Sequence, residues 1–409
     1  MTSRTAVRRA AVVAGVLSVV APGRAPALEG DRIRPSVGLN YTYVSNLFYL
    51  DDRIPDSQLP FLKNGQRSDN ILGLRAGLDA DIPVSRQMFT IRANATDNMY
   101  ATYDNLDYVS YNLRGTWNWV VGSDWDGDVG IAHYQALGSF ADVNFNVRNI
   151  RNTDEYFASG MYRIASDWKL RAAVRNTQLR NSAASFATTD RNDNVYEFGS
   201  RRYSKGGDNF LGVNFRMIDG RFPNRQVVAG STVDNSYRQY TLEGTVDWRY
   251  SGQSKLSGAL GWTNRLHDQI SQRNFSGITG RLTAVYSPSG IVGLNAAVFR
   301  EIGDYQDITA SYILTQGVRI GPSYAVSEKL ALQANYQYSV REFLGDPNFL
   351  VNPQPTRKDD INSLSGTVIW SPLRNAQISA TLSYDMRTSN RVNLDYDVTT
   401  FFVGGQITF

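Results

Sequence analysis

The sequence predicts an all-β fold, a closed antiparallel transmembrane β-barrel of about 18 strands with short periplasmic turns and longer extracellular loops. Three observations predict it. Segments of alternating polar and apolar residues recur along the chain. Their connections alternate between tight turns and longer polar loops. Tryptophan gathers beside the tight turns.

The first residues read as a secretory signal. Arg4, Arg8 and Arg9 supply positive charge, 10–21 is a short apolar run, and Ala25-Pro26-Ala27 offers small residues for cleavage. Residues 1–27 are expected to be a signal peptide and 28–409 the barrel. No other apolar run approaches the roughly 18 residues a membrane helix needs. Mean hydropathy is −0.35. A transmembrane barrel reads this way, because only alternate residues face lipid.

Strand side chains alternate between two faces. In 330–341, Leu330, Leu332, Ala334, Tyr336, Tyr338 and Val340 oppose Ala331, Gln333, Asn335, Gln337, Ser339 and Arg341. Segments 239–250 and 377–387 repeat the pattern. Runs this long suit tilted membrane strands. Strands are expected near 34–45, 69–82, 87–102, 107–121, 125–138, 149–163, 168–180, 192–204, 208–218, 235–250, 254–267, 275–286, 290–301, 308–324, 329–343, 359–371, 375–388 and 395–409.

Eight connections carry turn chemistry: 83–86, 122–124, 165–167, 205–207, 251–253, 287–289, 326–328 and 372–374. The others, such as 46–68, 139–148, 181–191, 219–234 and 344–358, are mostly longer and polar. Trp117, Trp119, Trp125, Trp168, Trp248 and Trp370 all lie close to a tight turn, and Trp262 does not. Aromatic rings collect at bilayer interfaces, so the tight-turn ends are expected to mark one membrane boundary, against outer-membrane lipid.

The closing strand puts Phe401, Val403, Ile407 and Phe409 on one face, with polar residues between. An amphipathic strand ending in Phe resembles the last strand of bacterial outer-membrane barrels, which the barrel-insertion machinery reads. The implied location is the outer membrane of a Gram-negative bacterium.

The faces opposite the apolar ones are expected to line the lumen. They carry Arg75, Arg92, Arg114, Arg163, Arg171, Arg175, Arg201, Arg216, Arg249, Arg265, Arg281, Arg319, Arg341 and Arg387. Asp79, Asp81, Glu197, Glu243, Asp247 and Asp385 are the acids expected there. The excess of Arg predicts an electropositive lumen. The net charge of +4 is too mild to argue for nucleic acid. With no Cys, and only His133 and His267 as histidines, a His/Cys metal centre is not expected. Neither His lies in a nucleophile motif, so no catalytic residue, cofactor or metal is assigned. The acid pairs Asp51-Asp52 and Asp359-Asp360 are weak candidates for loop calcium.

Motifs along the mature chain resemble the exosortase-associated exopolysaccharide-biosynthesis barrels of EpsL type. They include Tyr41-x-Tyr43-x-Ser45-Asn46-Leu47-Phe48, Leu78-x-Ala80-x-Ile82-Pro83-x-Ser85-Arg86-Gln87, Trp117-Asn118-Trp119, Asn274-Phe275-Ser276-Gly277, the Pro288-Ser-Gly290 turn and Arg387-x-Ser389-Asn390. The resemblance implies a channel that exports an exopolysaccharide, fed by periplasmic export partners. One alternative is a general diffusion porin, which would fold a long loop inward with acids facing an Arg cluster. The loops 46–68 and 219–234 are long enough, but neither has an acidic run. An outer-membrane hydrolase and a structural anchor are further alternatives.

Overall fold

The computed structural model describes residues 32–207, 209–228, 231–269, 271–303, 312–344 and 356–409. The expected signal peptide lies outside them. The strands are β1 (Ile33–Val44), β2 (Asp69–Val84), β3 (Gln87–Tyr100), β4 (Tyr108–Val121), β5 (Trp125–Leu137), β6 (Ile150–Ala165), β7 (Trp168–Asn181), β8 (Arg191–Tyr203), β9 (Phe210–Arg221), β10 (Gln226–Val228), β11 (Ser231–Val233), β12 (Tyr237–Ser251), β13 (Ser254–His267), β14 (Phe275–Tyr286), β15 (Val292–Gly303), β16 (Tyr312–Ala325), β17 (Leu330–Leu344), β18 (Lys358–Leu373), β19 (Ala376–Ser389) and β20 (Tyr396–Thr408).

Eighteen of these form one antiparallel sheet that closes on itself. β1 pairs with β2 on one side, Val37 opposite Ala76, and with β20 on the other, Val37 opposite Ile407. Each barrel strand therefore has two neighbours, and no edge is left to expose unpaired backbone groups to lipid. Among the described residues no helix is long and apolar enough to cross a membrane.

Predicted and observed strands agree within a few residues. β13 and β14 coincide with the expected 254–267 and 275–286. The strand expected over 308–324 begins at Tyr312, and 308–311 lie outside the described residues. The sequence reading missed the β10–β11 hairpin, which stands apart from the barrel, and, among the described residues, five short 3-10 turns in the loops. Elements of three to six residues are too short for a periodic signal.

The barrel wall is inverted relative to a soluble sheet. Leu39 and Tyr41 on β1, Leu72 and Leu74 on β2, Val174 on β7, Phe198 on β8 and Val298 on β15 all point outward and are exposed. The alternate residues turn into the lumen and are largely polar. The largest apolar core lies at the loop end of the barrel, where three loops fold inward. It joins Leu47, Phe48, Leu50 and Leu62 of the β1–β2 loop, Tyr103 and Leu106 of the β3–β4 loop, and Phe140 of the β5–β6 loop. Strand residues such as Val44, Ile71, Tyr100 and Val398 complete it.

Candidate functional site: a loop folded across the lumen

The β1–β2, β3–β4 and β5–β6 loops form one body. Phe48, with no exposed surface, is the hub, its ring 4.8 Å from Tyr103, 5.0 Å from Phe140 and 5.5 Å from Phe61, all edge-on. Each such ring stabilises by about 1.5–3 kcal/mol through burial. Polar side chains hold the turns. The fully buried Asp69 carboxylate accepts from the backbone N–H of Thr102 (2.8 Å) and Tyr103 (3.0 Å). Asn46 accepts from the Leu50 N–H at 2.9 Å and donates to the Leu50 carbonyl at 2.7 Å. Asn144, with φ +57°, donates to the carbonyls of Phe48 and Tyr49, joining the third loop to the first.

From this body the β5–β6 loop reaches toward the opposite wall. Asp142 receives two hydrogen bonds from Arg341 of β17, at 2.9 and 3.1 Å. Its Oδ1 is 3.5 Å from Arg357, just before β18, and 3.3 Å from Arg387 of β19. The Ala141 carbonyl accepts from Arg387 as well. Round the wall, five strands separate β5 from β19 and seven separate it from β17, so the loop is a chord across the lumen. Arg387 and Asp359 are fully buried, and Asp359 receives the Arg357 guanidinium. Burial alone would raise the Asp142 pKa. The fields of Arg341, Arg357 and Arg387 outweigh it and hold the carboxyl below the ordinary range. Burial, with Asp385 and Asp142 nearby, pushes the Tyr49 hydroxyl up to about 12.

The expected lumenal Arg side chains share the inward face, but most are neutralised. Arg92 meets Asp81 and Asp79; Arg114 and Arg175 meet Glu155; Arg171 meets Glu197; and Arg216 bridges Glu197 (2.8 Å) and Glu243 (2.9 Å). Arg281 forks onto Glu301 at 2.8 and 2.7 Å. Asp247 pairs with Lys255 at 2.9 Å. The neutral partners are Asn94 for Arg75, Gln239 for Arg265 and Gln337 for Arg319. Arg201 lies 4.5 Å over the Phe210 ring. Arg163 and Arg249 are exposed near the tight turns. The expected excess of Arg is narrowed by these pairs, not removed. Glu155, Glu301, Asp142 and Asp359 also face inward, and the sequence reading had not counted them.

At the tight-turn end the tryptophans form an outer girdle. Trp117 stacks on Phe89 (5.9 Å, 8°) and Trp125 packs on Tyr162 at 4.4 Å. Trp168 and Trp370 are exposed, and Trp248 is half-buried. Trp119 lies along the wall over Gly127 and Gly160, where neighbouring strands present no side chain. Phe401, Ile407 and Phe409 are exposed on the outer face of the closing strand, with Val403 half-buried between them.

The histidines do not meet. His133 bonds Asp154 at 2.7 Å, while His267 is buried beside the Tyr237 ring. Among the described residues no group of three or more His, Cys, Asp or Glu is placed to hold a metal ion, so the loop-calcium candidates are not supported. Asp51 and Asp359 are instead taken up by Arg53 and Arg357.

The sequence reading missed Asp142 and Arg357. It sought a run of acids in the longest loops, whereas the chord is the shorter 138–149 and carries one buried acid. Phe140, two residues before Asp142, was the available signal of a loop that folds inward.

Residues 238–409 match the model of a family described as "Putative beta-barrel porin 2". No curated protein matches the chain. Among solved structures, the chain is similar to the outer membrane protein OpdK of Pseudomonas aeruginosa, at 10% identity and TM-score 0.49, covering 92% of this chain and 99% of that one. It is similar to OccK2 (OpdF) of the same organism at 8% identity and TM-score 0.49, covering 92% and 98%. OccAB3 of Acinetobacter baumannii gives 10% and 0.47, covering 92% and 99%. Likenesses of this strength say nothing about cargo. The porin match corrects two expectations, the EpsL-type family and the export of an exopolysaccharide. A loop pinned across the lumen is the physical counterpart, because it narrows the passage a polymer would have to thread. The chain is a β-barrel of the Gram-negative outer membrane.

Proposed function

We propose that the protein is a general diffusion porin that lets small polar solutes cross the outer membrane passively. The observation that carries this reading is the inward chord, with Asp142 seated on Arg341, Arg357 and Arg387. The porin family match over the C-terminal part supports it. Among the described residues the apolar loop body fills the sector beside β20 and β1–β4 at the loop end, so the solute path is placed along β7–β9 and β12–β16. There, Arg171, Arg216 and Arg281 lie against Glu197, Glu243 and Glu301. Such a wall is hydrophilic and keeps an excess of Arg, with Arg201, Arg265 and Arg319 beside these pairs. It wets the path and offers many weak contacts, which suits passage without tight binding. Outer-membrane lipid would be its solvent on the other side.

Liposome swelling tests the reading. Vesicles containing the purified protein should swell in small sugars and amino acids at rates that fall with solute size. Folded protein that carries neither solutes nor ions through a bilayer would overturn it.

A further inference from the structure

On the orientation in which the tight turns face the periplasm, the outer wall of β9, β12 and β13 changes character at its loop end. Leu211, Val213 and Phe215 of β9, Leu242 of β12, and Leu260, Trp262 and Leu266 of β13 are exposed on the lipid-facing side. Farther along the same face come Asp219 and Arg221 of β9, Arg238 of β12 and Asp268, one residue past the end of β13. Arg238 lies in register between Asp219 and Leu266. The eight residues from Leu211 to Asp219 rise about 26 Å along the strand, or about 20 Å along the membrane normal at a tilt of about 40°. Arg221 lies at about 25 Å, the height of the apolar band itself. The charged row thus stands at the outer-leaflet headgroups.

A cleft of about 330 Å³ opens there, lined by Arg221 and Arg238, the three carboxylates Asp219, Asp234 and Asp268, and Met217, Ser236 and Tyr237. Arg221 pairs with Asp219 at 2.9 Å, Arg238 with Asp268 at 2.9 Å, and Arg225 with Asp234 at 3.8 Å. The guanidiniums of Arg221 and Arg238 keep 69% and 51% of their side-chain surface. Exposed ion pairs hold each other weakly. Each carboxylate aims its guanidinium and leaves donors free for a second anion, and phosphate matches that fork bidentately.

We infer that this cleft holds a phosphorylated lipid headgroup of the outer leaflet, with Arg221 and Arg238 donating to the phosphate while Leu266 and Met217 meet the start of the acyl region. Continuity with the lipid-facing stripe commits the site to a membrane lipid rather than a free anion.

The test is native mass spectrometry of the detergent-purified full chain with added bisphosphorylated lipid A. Arg221→Ser/Arg238→Ser should lower retained lipid A about tenfold, the loss of two charge-assisted contacts. Arg202→Ser is the control. It removes an exposed Arg paired with Asp167 on the same outer wall but at the tight-turn end, and it should change nothing. Heat-modifiable migration on gels reports that each variant is folded. Equal retention by the double variant, or equal loss in Arg202→Ser, would overturn the site. So would displacement of lipid A by millimolar inorganic phosphate, which would make it a free-anion site.

Discussion

Asp142 shows how one residue decides a passage. Its carboxylate lies among three guanidiniums, and breaking a buried pair by removing one partner costs about 3–5 kcal/mol. That cost falls on the loop, because barrel closure depends on backbone ladders elsewhere. Asp142→Ala should therefore raise single-channel conductance while the barrel remains heat-modifiable; unchanged conductance would mean that the Phe140–Phe48 contact and the Asn144 and Ala141 bonds hold the loop without Asp142. The pH dependence follows from the depressed pKa of Asp142. A carboxyl whose folded pKa lies below its unfolded value of about 3.9 stabilises above that value and stops doing so as pH falls through the folded one. Conductance should stay level from about pH 5 to 8 and rise only below about pH 4. Gly127 is a second decisive position. A Cβ there would stand 2.1 Å from the Ser159 carbonyl oxygen and 2.5 Å from the Trp119 ring. Gly127→Ala should lower stability to urea by about 1–3 kcal/mol through forced overpacking, measured by loss of heat-modifiable migration.

At the scale of the element, β20 has two tasks. It pairs with β19 and β1, and the Phe409 N–H donates to the Pro35 carbonyl at 2.8 Å. The second task is a proposal: the exposed Phe401, Ile407 and Phe409 are the face read by the insertion machinery. Phe409→Ala tests it by separating recognition from stability. Backbone pairing survives the change, so refolding into detergent should match the parent, whereas the amount inserted in cells should fall severalfold. Equal losses in both assays would make Phe409 only a packing residue. The strands were legible because each repeats a period of two over twelve or more residues, as β17 does from Leu330 to Arg341. The loops were not. The β10–β11 hairpin pairs three residues on each strand and the turn Asp56–Gln58 spans three, too few to leave a periodic trace.

For the whole molecule, orientation is the open prediction. The chain has no Cys, so single cysteines report their own exposure. With tight turns in the periplasm, Asn224→Cys should react with an impermeant maleimide on intact cells. Ser123→Cys and Gly252→Cys, exposed at tight turns, should react only after the outer membrane is opened. The opposite pattern would invert the barrel and remove the outer-leaflet site with it.

The sequence by itself determined the closed barrel, its strand number, the outward face of each strand and the aromatic girdle. These follow from alternation and turn chemistry, which are local and repeat along the chain. It also placed Arg341 and Arg387 on the inward face. Only the tertiary structure decided what those residues meet. Asp142 lies 199 positions before Arg341 and 245 before Arg387. No spacing rule links them, because their approach depends on which way a twelve-residue loop folds. The same holds for charge. The Arg on each strand were visible, but Glu155 and Glu301 neutralise Arg114 and Arg281 through cross-strand pairing. Register sets which side chains lie opposite, and register belongs to pairs of strands rather than to any one of them.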